Sequence, residues 1–265
     1  MAYLEFARAQ RAFVWFAGVL VAIAVLVGLG ALGGTHAQIS VSNDAPGSSS
    51  SRTMTLASLG AFPIPADVIA AIAIVACFAL ATALAPSFNR ETLHAPLAFV
   101  RPVSRVRMAL SIVGVDLAAL AAIGGFAGLL ATITIAVAVG THAHVVGVAG
   151  ALGLALLGLG AAFLWYALLQ TASAWSSGRG GAYAVVAAVV LVLAPLLAHQ
   201  QFLGPIATLF GLVLIIDPLG YLTSIGSGGA TSAFGGSVAT HAVEVWLLAI
   251  AFVAAAIALW RRVEV

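Results

Sequence analysis

Hydrophobic residues in this chain run in long unbroken stretches, without the alternation of a half-buried strand or the every-third-position stripe of a surface helix. About 20 consecutive apolar residues cross a bilayer core as a helix, so each stretch of that length predicts a span. Six qualify: about residues 13–33, 67–85, 108–139, 145–173, 182–198 and 242–260. The third and fourth exceed the bilayer, which predicts helices that tilt, kink or extend into water. Pro63 and Pro65 suit the start of the second span, and Asp67 suits the positive end of its helix dipole. The pattern thus predicts an all-α integral membrane protein with a single transmembrane domain.

Polar positions gather between these runs. Residues 35–65 include SVSNDAPGSSSSRT, a solvated loop by composition, and shorter breaks fall at GTHAH (140–144) and SSGRGG (176–181). Residues 202–222 are apolar but interrupted by Gly204, Pro205, Gly211 and Asp217-Pro218, which predicts a re-entrant segment or paired short helices before the last span. Residues 1–11 carry Arg8 and Arg11, which places these two side chains at the cytoplasmic headgroups ahead of the first span. A signal peptide has an apolar region of only about 7–15 residues, so the longer first run reads as a retained helix.

Composition sharpens the class. With 63% hydrophobic residues, 7% charged and a mean hydropathy of +1.18, the chain is no soluble enzyme, nucleic-acid binder or disulfide scaffold. All ten basic residues are Arg, which excludes a P-loop lysine and Schiff-base chemistry within this chain. Cys77 is the single cysteine and forms no internal disulfide. Abundant Ala, Gly, Val and Arg point to a high-GC bacterial source, hence a plasma membrane.

The Arg positions set the topology. If residues 202–222 do not cross, nine Arg residues are cytoplasmic and only Arg52 is outside; if they cross, Arg261 and Arg262 move outside and the bias weakens. Six spans with both termini cytoplasmic and an external 202–222 segment follow.

The one charge-dense stretch, residues 86–108 between spans two and three, then lies in the cytoplasm. Leu93, Leu97 and Val100 recur at helical spacing and Pro102 ends the turn, which predicts a short amphipathic helix over about 88–101. A positively charged loop that merely fixes topology explains the charge equally well. The residue order adds to this, because Arg90, Glu91, Thr92, Leu93, Leu97, Pro102, Val103, Ser104 and Arg105 resemble the coupling segment of ABC-2 type transporter permeases. The family pattern has a Gly before the Thr that is missing here, an acidic residue where His94 stands, and Gly-Lys where Ser111-Ile112 stands. The resemblance implies a permease without a catalytic site or cofactor of its own. It would pair with a second permease subunit and dock on a separate cytoplasmic ATPase that binds ATP and Mg. Arg90, Glu91, Thr92, Leu93, Leu97, Arg101, Pro102, Ser104 and Arg105 would then make or shape the ATPase contact, and residues 1–11 would form the interfacial helix.

Among single residues, Asp116 lies roughly 12 Å past Met108 along a helix. A carboxylate at that depth is a functional candidate: it can line a translocation path, pair with an Arg from the cytoplasmic end, or be a structural hydrogen-bonding group. His36, His142, His144, His199 and His241 fall at external span ends, where imidazoles can bind a metal with His142-x-His144 as a nucleus; no acidic or Cys ligand accompanies that pair, which favours headgroup depth over a metal site. Gly124 and Gly128, with the series from Gly147 to Gly160, read as close-packing positions. The five Trp residues read as interfacial anchors, and Asp217 and Glu244 as candidates for an external gate. An exporter permease is the leading expectation. A secondary transporter using Asp116 as a proton or cation site is the rival, though no internal repeat is visible in the sequence; a non-transporting assembly subunit is the third.

Overall fold

The computed structural model describes residues 2–32, 62–85, 104–139, 143–146, 148–175, 180–197, 204–226 and 238–262. These form helices α1 (Ala2–Leu32), α2 (Ala66–Leu84), α3 (Arg105–Val139), α4 (Val148–Ala174), α5 (Gly180–Leu197), α6 (Pro205–Val213), α7 (Pro218–Gly226) and α8 (Val238–Arg262). Two four-residue strands, β1 (Phe62–Pro65) and β2 (Ala143–Val146), complete the described elements.

Among the described residues five helices are long and apolar enough to cross a membrane, namely α1, α2, α3, α4 and α8, the architecture of a multi-pass membrane protein. Helix α5, the fifth predicted span, has a shorter apolar stretch, Gly181–Ala194. The broken apolar segment becomes α6 and α7, nine residues each, parted where Pro218 removes a backbone donor. Gly204, at φ 51°, makes the left-handed turn into Pro205 at the start of α6.

The start of the chain differs from expectation. Residues 2–11 form no separate interfacial helix but run on into the first span as one 31-residue helix. Continuity is possible because Arg8 finds a carboxylate inside the bundle, described below, and need not stay at the headgroups.

Helix α4 is the hub. It packs most extensively on α8 and α2 and also on α5 and α7, and residues 157–170 are buried apart from half-buried Leu159. Helix α1 has the opposite character: it lies along α3, and Val14, Trp15, Leu26 and Leu29 are exposed, as an apolar solvent requires.

The strands pair in parallel, Phe62 opposite Ala143 and Pro65 opposite Val146. Pro63 and Pro65 are two apart and have no N–H, so that edge of β1 faces away from the ladder. Neither strand was expected from the sequence. Each feeds a helix, and α2 and α4 then pack side by side in the same direction, with Gly158 against Ile74 and Trp165 against Thr82. Among the described elements the order helix, strand, helix therefore occurs twice, as α1-β1-α2 and α3-β2-α4.

Small residues permit these close approaches. Gly124 lies beside the Cys77 sulfur and Gly128 beside Ile69 and Ala73, so this GxxxG pair serves the α2–α3 seam within the subunit. Trp165 is a correction: it is buried, donates from Nε1 to Thr82 Oγ1 at 2.9 Å and packs on Phe78, so it is a core residue and no interfacial anchor.

Candidate functional site: a buried ion-pair network

Four side chains from three helices meet at the end of the bundle where α1 and α3 begin and α2 and α4 finish. Arg8 Nη2 donates to both oxygens of Asp116, at 2.6 and 2.8 Å, and Arg8 Nη1 donates to the carbonyl of Leu84 at 3.2 Å. Tyr166 donates its hydroxyl to Asp116 Oδ2 at 2.6 Å and accepts from Gln170 Nε2 at 3.0 Å. Asp116 and Tyr166 are fully buried and Gln170 nearly so, whereas the Arg8 side chain keeps 22% exposure.

Each position follows from its helix. Asp116 is eleven residues into α3, roughly 16 Å along the axis, beyond easy reach of bulk water. An unpaired carboxylate there is costly, and short charge-assisted bonds offset that cost. Arg8 is two turns into α1, which runs parallel to α3, and its long side chain reaches across the seam. Tyr166 and Gln170 are four apart on α4 and so share a face. The network joins α1 to α3 and α4, and through Leu84 to the last turn of α2.

Ser104 precedes α3 and caps it: its hydroxyl accepts the Arg107 backbone N–H at 3.3 Å, and its carbonyl accepts the Met108 N–H at 3.1 Å. Arg105 is the first residue of α3. The other coupling candidates, Arg90, Glu91, Thr92, Leu93, Leu97, Arg101 and Pro102, lie outside the described residues, as does the helix expected over 88–101.

The two gate candidates sit at the opposite end. His241 Nδ1 lies 3.2 Å from Glu244 Oε2, and the His241 ring meets Tyr221 edge to face at 5.9 Å. Asp217 is fully buried; its Oδ1 accepts the Leu219 N–H at 2.9 Å, capping α7, while Oδ2 has no partner among the described residues. Burial pushes its carboxyl from 3.8 up to about 6, against the opposing pull of the Leu219 and Gly220 N–H groups. Among the described residues no three His, Cys, Asp or Glu side chains are placed to hold a metal.

A pH dependence follows. Between about pH 4 and 6 the folded carboxyl of Asp217 keeps a proton that the unfolded chain has released, so this group's contribution to stability falls as pH rises through that window and is flat above it. Asp217→Asn keeps an oxygen for the Leu219 N–H and removes the buried charge. The expected outcome is a flatter profile and a gain of about 1–2 kcal/mol at pH 8, read from unfolding midpoints in detergent between pH 4 and 8. An unchanged slope would assign the wild-type dependence to other groups.

Sequence reasoning singled out Asp116 and included pairing with an Arg from the cytoplasmic end among its roles, but did not name the partners. Arg8 was expected at the headgroups, and Tyr166 and Gln170 passed as members of an apolar run. The available signal was Gln170, the one amide side chain within 145–173. No protein-family model, curated protein or solved structure matches the chain.

Proposed function

We propose that the chain is the transmembrane permease subunit of an ATP-binding-cassette exporter, coupling ATP hydrolysis by a separate cytoplasmic ATPase to substrate movement. The residue order from Arg90 to Arg105 between α2 and α3 carries this reading. On this reading the chain sits in a bacterial plasma membrane with both termini cytoplasmic. It pairs with a second permease subunit, and ATP and Mg are held by the ATPase.

The geometry supports the mechanism. Residues 86–103 connect α2 to α3 along the chain, and the Arg8 network reaches the Leu84 carbonyl in the last turn of α2 and Asp116 eleven residues into α3. A displacement of the segment by the ATPase is passed through Leu84 and Asp116 to Arg8 on α1, and through Tyr166 to the hub helix α4. Rigid helices linked by buried ion pairs shift as bodies, as alternating access demands.

The secondary-transporter reading has two observations in its favour, the buried Asp116 and the twice-used helix-strand-helix order. Against it, the Asp116 oxygens are already engaged by Arg8 and Tyr166, which leaves a transported cation no free ligand at this carboxylate.

Co-purification tests the proposal. The tagged chain, expressed with the ATPase encoded beside its gene, is expected to bring that ATPase down in stoichiometric amount, and Glu91→Arg is expected to abolish the complex. A chain that purifies alone, with the substitution changing nothing, would remove the permease reading.

A further inference from the structure

We infer that the seam between α1 and α3 is a binding site for an anionic phospholipid, one acyl chain lying in the seam and the phosphate resting on Arg107. A cavity of about 360 Å³ opens there, with Phe6, Gln10 and Phe13 of α1 and Val115, Ala118 and Ala122 of α3 in its walls. From Phe6 to Phe13, and from Val115 to Ala122, the groove runs roughly 10 Å along the helix axes. It is almost wholly apolar and opens outward, with Phe6, Gln10, Ala118 and Ala122 exposed along it. That shape admits an extended methylene chain and offers a headgroup no partner except Gln10.

The charge lies at one end. Arg107 is three helical turns before Ala118 on the same stripe of α3 and roughly 12 Å along the axis from Val115. It is exposed, and its guanidinium has no hydrogen-bond or ion-pair partner among the described residues. A phospholipid has this layout of a long apolar tail with an anionic phosphate at one end, and guanidinium binds phosphate oxygens in a bidentate fashion. Zwitterionic headgroups carry a compensating cation, so the site favours a net negative lipid. Ala9 and Val115, which line the groove, are the chain neighbours of Arg8 and Asp116, so the bound tail covers the seam the ion pair crosses.

The test is native mass spectrometry of the full chain in detergent, titrated with phosphatidylglycerol or phosphatidylcholine. Phosphatidylglycerol is expected to bind about tenfold tighter, as one charge-assisted contact implies. Arg107→Gln should erase that preference, while Arg11→Gln, an equally exposed arginine on α1 away from the groove, should leave it intact. Ala118→Leu, and independently Ala122→Leu, should fill the groove and weaken both lipids; these are exposed helix positions that tolerate leucine. Equal affinity for the two lipids would overturn the proposal. So would a loss on Arg11→Gln as large as that on Arg107→Gln, which would mean diffuse attraction. A change in oligomeric state on Ala118→Leu with lipid binding unaltered would give the seam to a second copy and overturn it as well.

Discussion

Replacing Arg8 with alanine is expected to destabilise the protein by about 3–5 kcal/mol, because it takes away the guanidinium that donates to both oxygens of the fully buried Asp116 carboxylate. The loss reflects a buried charge deprived of a counter-charge more than the value of the pair, so removing both partners should be milder. Arg8→Met with Asp116→Leu is expected to recover part of the stability: both charges are gone, but the buried Tyr166 hydroxyl, which still accepts the Gln170 N–H, loses Asp116 as the acceptor of its own proton. The measurement is the thermal unfolding midpoint in detergent, where the single variant should lie roughly 10 °C below wild type. A single variant within about 2 °C of wild type would show that water or another group satisfies Asp116 without Arg8.

The second large effect concerns the α2–α4 seam. A Cβ on Gly158 would fall within the Ile74 side chain, which is buried and has little room to yield. Gly158→Ala is therefore expected to cost about 1–3 kcal/mol through overpacking. Gly125→Ala is the control: nothing lies near its Cβ position, and it should stabilise by about 0.5–1 kcal/mol through helix propensity. Ile74→Ala alone should cost about 2–5 kcal/mol. Adding Gly158→Ala to Ile74→Ala should cost nothing further, because the new methyl enters the vacated space. Simple additivity in this cycle would contradict the parallel packing of α2 on α4.

How far the sequence discloses such features depends on whether the signal is local. Span boundaries are local: 67–85 becomes Ala66–Leu84 and 242–260 becomes Val238–Arg262, because apolar runs end where charges and Pro-Gly breaks begin. The break at Asp217-Pro218 was equally legible, and it separates α6 from α7. The strands were not, since FPIP and AHVV are four residues each, 77 residues lie between them, and two prolines argue against a ladder. The ion-pair network was half legible. Asp116 stands out because a carboxylate within a span demands an explanation, whereas Arg8 has an equally good explanation at the headgroups. Which face of α4 turns inward could not be read, since a helix that is apolar all round has no preferred side, and so Tyr166 and Gln170 stayed hidden.

The proposed contact between residues 88–101 and an ATPase can be probed where it forms. With buried Cys77 changed to serine the chain has no cysteine. Leu97→Cys in that background places a reactive thiol in the middle of the proposed coupling helix, and Val19→Cys places one on an exposed face of α1. Membranes containing the chain and its ATPase are treated with a short reagent that joins the introduced thiol to a lysine amine, a group that this chain does not have. The permease reading predicts a crosslink from residue 97 to the ATPase, altered in yield by ATP, and none from residue 19. Crosslinking at neither position, or equally at both, would contradict it.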